Sequence, residues 1–120
     1  MSRADDQRLA DIVDASAELA AIVQLGRARF DREVVLRRAA ERLLEIIGEA
    51  ANAITAQVQG TMPDIAWADI TRLRILLAHH YHRVDASQVW VIAERDVPAM
   101  VAAITAQRPD IVRSVTDEPN

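Results

Sequence analysis

An arginine, a histidine and a tyrosine near the middle of the chain, Arg74, His79 and Tyr81, are the side chains best suited to do chemistry together. Arginine is permanently charged, and its planar fork suits a phosphate or the phosphorane-like transition state of phosphoryl chemistry. Histidine titrates near neutrality, so it can move a proton to or from a ribose hydroxyl or a departing oxygen. The pair could cleave RNA without a metal, with the 2′-hydroxyl as internal nucleophile. Tyr81 adds a phenolic oxygen that can bond a phosphate, stack, or carry a modification. On a regular helix Arg74 and Tyr81 share a face, about 20° apart, while His79 is turned about 140° from Arg74 and lies about 7.5 Å farther along. One helix therefore does not aim both groups at one spot. Either Arg74 reaches around, or the helix deforms near its end, or a second subunit completes the site, as a symmetric dimer would allow.

The surrounding charge is uneven. Residues 70–84 hold Arg72, Arg74, Arg83 and all three histidines, and no acid. The rest of the chain has 11 basic and 18 acidic residues, so a basic stripe sits in an acidic body whose overall net charge is −4. That balance excludes a protein that grips nucleic acid over its whole surface. Arg72, His80, His82 and Arg83 are accessory candidates around the central trio. Taken alone, one arginine and one histidine on a helix are more often a satisfied core pair than a nuclease, and His80 and His82 read as solvated or rim residues. His79 and His82 are spaced to share an ion, but no neighbouring acid or cysteine completes a ligand set, so no metal and no cofactor is expected. Glu49 fits either a buried partner for Arg74 or a surface residue. Trp67 and Trp90 read as core anchors rather than base-stacking platforms.

The elements that must position these residues are helical throughout. With 120 residues, 51% hydrophobic and 27% charged, the composition suits one globular domain over residues 1–120. There is no cysteine, which excludes disulfides and thiolate metal sites and suits a reducing compartment. The polar, acidic start is unlike a signal peptide, and no apolar run approaches the roughly 18–20 residues that span a bilayer, so a cytoplasmic protein without membrane association is expected. Leu9, Ile12, Val13, Leu19 and Val23 predict a helix over Asp5–Leu25, stopped by Gly26. A second is expected over Asp31–Gln57, with Leu36, Ala40, Leu43, Leu44, Ile47, Ala51 and Ile54 inward and Gly48 marking a close helix–helix approach. After the break at Gly60–Asp64, a third spans Ile65 or Ala66 to Tyr81, striped by Trp67, Ile70, Leu73, Leu77 and Tyr81. Asp85 reads as an N-cap, with Gln88 completing a capping box. The fourth helix runs on to Gln107, with a kink or fresh start at Asp96-Val97-Pro98. Residues from about 108 to 120 read as a poorly ordered tail with room for a short docked turn. The expected fold is an all-α, four- to five-helix antiparallel bundle.

The run Trp67-Ala-Asp-Ile-Thr-Arg-Leu-Arg74-Ile-Leu-Leu-Ala-His79-His-Tyr81 resembles the Arg-x4-His-x-Tyr signature of the HepT-like branch of the HEPN families. The likeness extends to Ile46-Ile47-Gly48-Glu49-Ala50 and to the Val84-Asp85 and Val89-Trp90 stretch, and covers about residues 5–107. This resemblance implies a HEPN-like bundle that forms a homodimer, with its two motif helices meeting at the interface. It also implies the toxin of a bacterial toxin–antitoxin pair, a metal-independent endoribonuclease with Arg74 and His79 as catalytic residues. The implied partner is a nucleotidyltransferase antitoxin that uses ATP to adenylylate Tyr81, adding phosphate charge and bulk where RNA would bind. In one respect the chain departs from the pattern. The family usually has a polar residue, commonly asparagine, after the motif arginine, whereas this chain has Ile75. That departure keeps a second reading open: a catalytically decayed dimer that binds a nucleotidyltransferase or a nucleotide.

Overall fold

A computed structural model of the chain describes residues 3–78 and 85–111. The elements are α1 (Arg3–Gln24), α2 (Arg27–Arg32), α3 (Val34–Ala53), α4 (Ala56–Gly60), α5 (Trp67–Ala78), α6 (Ala86–Val91), a π-helical turn (Ile92–Asp96) and α7 (Val97–Gln107). No strand occurs among the described residues. The fold is the expected all-α bundle, with α3 at its centre packed against both α1 and α5. No helix among the described residues is long and apolar enough to cross a membrane.

The helices alternate in direction because their ends are tied in two groups. At one end, Asp5 of α1 accepts hydrogen bonds from Thr55, just past α3, and Arg108, just past α7, lies 3.1 Å from Asp6. Gln107 donates to the Thr61 carbonyl at the same end. At the other end, α2 meets the start of α6, where the Phe30 and Trp90 rings lie 5.2 Å apart. Between these ties runs one core of Leu9, Ile12, Leu19, Leu44, Ile47 and Ile104, all with no exposed surface. Burying each such side chain contributes about 1.5–3 kcal/mol.

Local signals explain most boundaries. Gly26 has φ +96°, a left-handed conformation that L side chains rarely adopt, and it closes α1 as expected. The long second helix, expected unbroken over Asp31–Gln57, is instead three helices. The first break falls at Glu33, where Arg37 Nη1 reaches back to the carbonyls of Phe30 and Asp31 at the end of α2. The second falls at Ile54 and Thr55, both extended. There the Thr55 N–H donates to Asp5 Oδ1 (2.9 Å) and its hydroxyl to Asp5 Oδ2 (3.0 Å), while Thr55 caps α4. A carboxylate from another helix thus satisfies the backbone group that the break frees.

Asp85 caps α6 as expected, its carboxylate accepting from the Ser87 N–H at 2.9 Å. At Asp96-Val97-Pro98 the helix neither stops nor restarts. Pro98 stands in the first turn of α7, directly after the π turn. Proline lacks an N–H and crowds the carbonyl four residues back, and a wider turn just upstream relieves that conflict. The stretch from residue 108 starts with the short docked turn that the sequence left room for. Residues 109–111 form one more helical turn, Ile111 is buried, and Arg108 bonds both Asp110 (2.7 Å) and Asp6. Residues 112–120 lie outside the described set.

Asp5→Ala should lower stability by about 1–3 kcal/mol in urea unfolding, because the buried carboxylate that accepts both part-buried hydrogen bonds from Thr55 would be lost. A hydrogen bond from Arg108 holds the Asp110 carboxyl below the usual carboxylate range. A depressed pKa stabilises the fold above the unfolded value and loses that contribution as pH falls through the folded one. Asp110→Asn should therefore unfold at lower urea than wild type at pH 7, with the difference shrinking below about pH 4.

Candidate active site

Arg74 stands on the same stripe of α5 as Ile70, Leu73 and Leu77, the stripe turned toward α3. Leu77 is buried, while Ile70 and Leu73 pack against the core from its margin. The residue opposite is Gly48. A Cβ added there would lie 2.8 Å from the Arg74 backbone nitrogen, 3.0 Å from the Ile70 carbonyl oxygen and 3.3 Å from Arg74 Cβ. Gly48 is thus the point of close helix–helix approach that the sequence marked, and the residue it seats is the motif arginine.

The start of α5 is held as firmly. Trp67 Nε1 donates to the carbonyls of Gln59 and Met62, each at 3.1 Å, and Gln59 in turn donates to the Ala51 carbonyl. Trp67 is therefore an anchor that ties α5 to the α4 turn, and Trp90 is buried against Phe30.

The Arg74 side chain is half-buried, and its Nε is buried without a hydrogen-bond partner among the described residues. Leaving a charged donor unpaired in that way costs roughly 1–3 kcal/mol or more, so the arrangement stores an unmet demand for an acceptor. Glu49 does not meet it. That residue is exposed, so of its two possible roles the buried partner is ruled out. Arg72 faces solvent and lies 3.5 Å from Asp69 one turn back on α5. Ile75 is 50% exposed and Leu76 44%, an apolar pair on the outer side of the motif helix. His79, His80, Tyr81, His82 and Arg83 lie outside the described residues. Among the described residues no group of three or more His, Cys, Asp or Glu is arranged to hold a metal ion.

A cavity of about 760 Å³ runs between α5 and the α6–α7 segment, floored by Ile70, Leu73, Ile92 and Met100 with Asp69 and Asp96 among its polar residues. Gln88, expected to complete the Asp85 capping box, is exposed and lines this cavity. Arg74 is not among the lining residues. Sequence reasoning passed over Arg27 and Ser87, which meet at the start of α6. Their pairing spans 60 positions, and no local pattern announces it.

Comparison with known proteins bears directly on this arrangement. The family described as "Ribonuclease HepT-like" matches residues 12–106, which takes in α5 and most of the bundle. The chain belongs to that family. Among curated relatives, "Putative RNase MJ1380" of Methanocaldococcus jannaschii is 36% identical over 69 residues, 58% of this chain and 63% of the relative. "Probable ribonuclease HepT" of Thermococcus cleftensis is 37% identical over 59 residues, 49% of this chain and 54% of the relative. "Putative RNase MJ0127" of Methanocaldococcus jannaschii is 30% identical over 82 residues, 68% of each chain. The match thus spans under two thirds of the first two relatives' lengths. No solved structure matches significantly.

Gly48→Ala tests the seat of Arg74. In an ordinary helix interior the change would stabilise by about 0.5–1 kcal/mol. Here the new methyl meets backbone, which cannot swing aside, so a net loss of about 1–3 kcal/mol is expected in thermal or urea unfolding. A gain in stability would mean that α5 does not sit on Gly48.

Proposed function

We propose that this HepT-like chain is the toxin of a toxin–antitoxin pair and acts as a metal-independent endoribonuclease. The single observation that carries the reading is the half-buried Arg74 side chain, whose Nε has no partner among the described residues, on the helix that leads into His79 and Tyr81. An anionic phosphodiester is the acceptor that such a group wants. In the proposed reaction the 2′-oxygen of a ribose attacks the neighbouring phosphorus and the bond to the 5′-oxygen breaks. The products are a 2′,3′-cyclic phosphate and a 5′-hydroxyl. Arg74 offsets the charge that builds on the non-bridging oxygens, and His79 carries a proton away from the 2′-hydroxyl or onto the departing 5′-oxygen.

The helical offset between Arg74 and His79 is met by a homodimer in which Arg74 of one protomer works with His79 of the partner subunit. Adenylylation of Tyr81 by a nucleotidyltransferase antitoxin would place an anion and an adenosine where the RNA phosphate belongs. Neither step needs a metal or cofactor held by this chain. A second reading, a decayed dimer that binds a nucleotidyltransferase or nucleotide, draws on Ile75. It places a half-exposed apolar side chain where the family pattern has a polar one.

Purified protein should cleave RNA in the presence of EDTA, while Arg74→Ala and His79→Ala each lose about 100-fold or more. If the site is shared between subunits, mixing and re-annealing the two inactive variants should restore about a quarter of wild-type activity, because half the dimers then hold one intact site. Retained cleavage in both single variants would reject this site. RNA left intact by the wild type, with cleavage conferred by Ile75→Asn, would favour the binding module.

A further inference from the structure

The α5 helix leans on α3, the α6–α7 arm leans on α1 and α3, and the two make little contact with each other among the described residues. The cavity of about 760 Å³ is the seam between them. Its floor is Ile65, Ile70, Leu73, Ile92 and Met100, of which Ile65 and Met100 are buried. Ile75 and Leu76, both largely exposed, extend the apolar wall outward. Lining residues run along α5 from Ala66 to Leu76, so the seam is about 15 Å long at 1.5 Å per residue. The facing wall includes the π-helical turn, which contributes Ile92 and Asp96. Such turns recur at functional sites. A trough of this length suits about three turns of a helix laid along it better than a compact small molecule.

The charged residues around this floor are Asp64, Asp69 and Asp96, against one lining cation, Arg72. Arg72 lies 3.5 Å from Asp69, and Arg95 lies 3.5 Å from Asp96. Both pairs are exposed, where water screens them and leaves the carboxylates open to a further cation. Asp64 is exposed and has no ion pair among the described residues. The rim is therefore acidic, and its sign selects the occupant. RNA phosphates are repelled by it, and a second copy docked symmetrically would set carboxylates against carboxylates. A segment with an apolar stripe bordered by arginine or lysine meets both floor and rim. We infer that the seam between α5 and the α6–α7 arm is a docking groove for a basic amphipathic helix of a partner protein. Arg74 does not line the groove, so a helix seated there does not take the place of the anion proposed for that side chain. The inference goes beyond the ribonuclease reading, and its test does not depend on RNA cleavage.

The test uses the full chain and two labelled helical peptides of about 15 residues. Both carry leucines at i, i+3, i+4 and i+7; one has arginine on either side of that stripe and the other glutamate. Fluorescence anisotropy should show the arginine peptide binding at least about tenfold more tightly than the glutamate peptide, with the difference shrinking as salt is raised. The preference should reverse in Asp64→Lys/Asp96→Lys, two exposed positions whose change leaves the floor intact. Ala99→Trp, at an exposed lining position, should weaken both peptides by about tenfold or more by filling the groove. Glu18→Lys, on the exposed side of α1, should change affinity by less than about twofold. Thermal unfolding confirms that each variant is folded. No binding of the arginine peptide below about 1 mM would overturn the inference, as would equal binding of the two peptides or a preference that Asp64→Lys/Asp96→Lys leaves unreversed. Displacement of the bound peptide by single-stranded RNA would assign the groove to nucleic acid instead. Dissociation of a dimer on adding the peptide, seen by sedimentation, would assign it to a second copy.

Discussion

The approach of α5 to α3 at Gly48 is the contact on which the candidate site depends. Only a residue without a Cβ lets the Arg74 backbone nitrogen and the Ile70 carbonyl come so near, and that nearness seats the base of an arginine on the inner stripe of its helix. A charged side chain at such a position is unfavourable unless it finds a partner, and Glu49, the nearby acid that could have supplied one, faces solvent. The cation is therefore half-buried, with no partner for its Nε among the described residues.

The rest of the bundle keeps this seat from relaxing. If α5 could slide on α3, the Gly48 contact would open and Arg74 would turn to solvent. Trp67 prevents this at one end by donating to two carbonyls of the preceding turn. Farther out, Asp5 with Thr55 and Arg108 with Asp6 close the same end of the bundle around α1. At the opposite end Phe30, Trp90 and Arg27 join α2 to α6. Exposed ion pairs on the helices, such as Arg72 with Asp69, add little by comparison, since they lie in water and cost side-chain entropy. The selective investment is in a few directional contacts at the helix ends, where a shift in register would begin.

Membership of the HepT-like family and the geometry of Arg74 bear on the same helix from independent directions. The family match covers residues 12–106, and Arg74, whose Nε has no partner among the described residues, lies inside it. Ile75 is where the two are in tension. Its half-exposed apolar side chain adjoins Leu76 on the outer side of α5, so the departure from the family pattern changes the surface beside the arginine and leaves its seat intact.

Much of this was legible in residue order. The stripe of Leu9, Ile12, Val13 and Leu19 specified α1, Gly26 its end, Asp85 the start of α6, and Gly48 a place of close packing. Each of these signals is carried by groups within a turn or two of one another. Residue types and spacing likewise singled out Arg74, His79 and Tyr81. What the tertiary structure alone decided were matters settled by distant partners. The long second helix breaks at Thr55 because Asp5, 50 residues away, accepts the freed N–H. Gly48 could have faced any helix, and only the packing of α5 shows that it faces Arg74. Glu49 could have turned inward, and the rotation of α3 that buries Ile47, Gly48 and Ala51 turns it out. Local periodicity cannot report such choices, because the energy that decides them comes from contacts that exist only once the chain has folded.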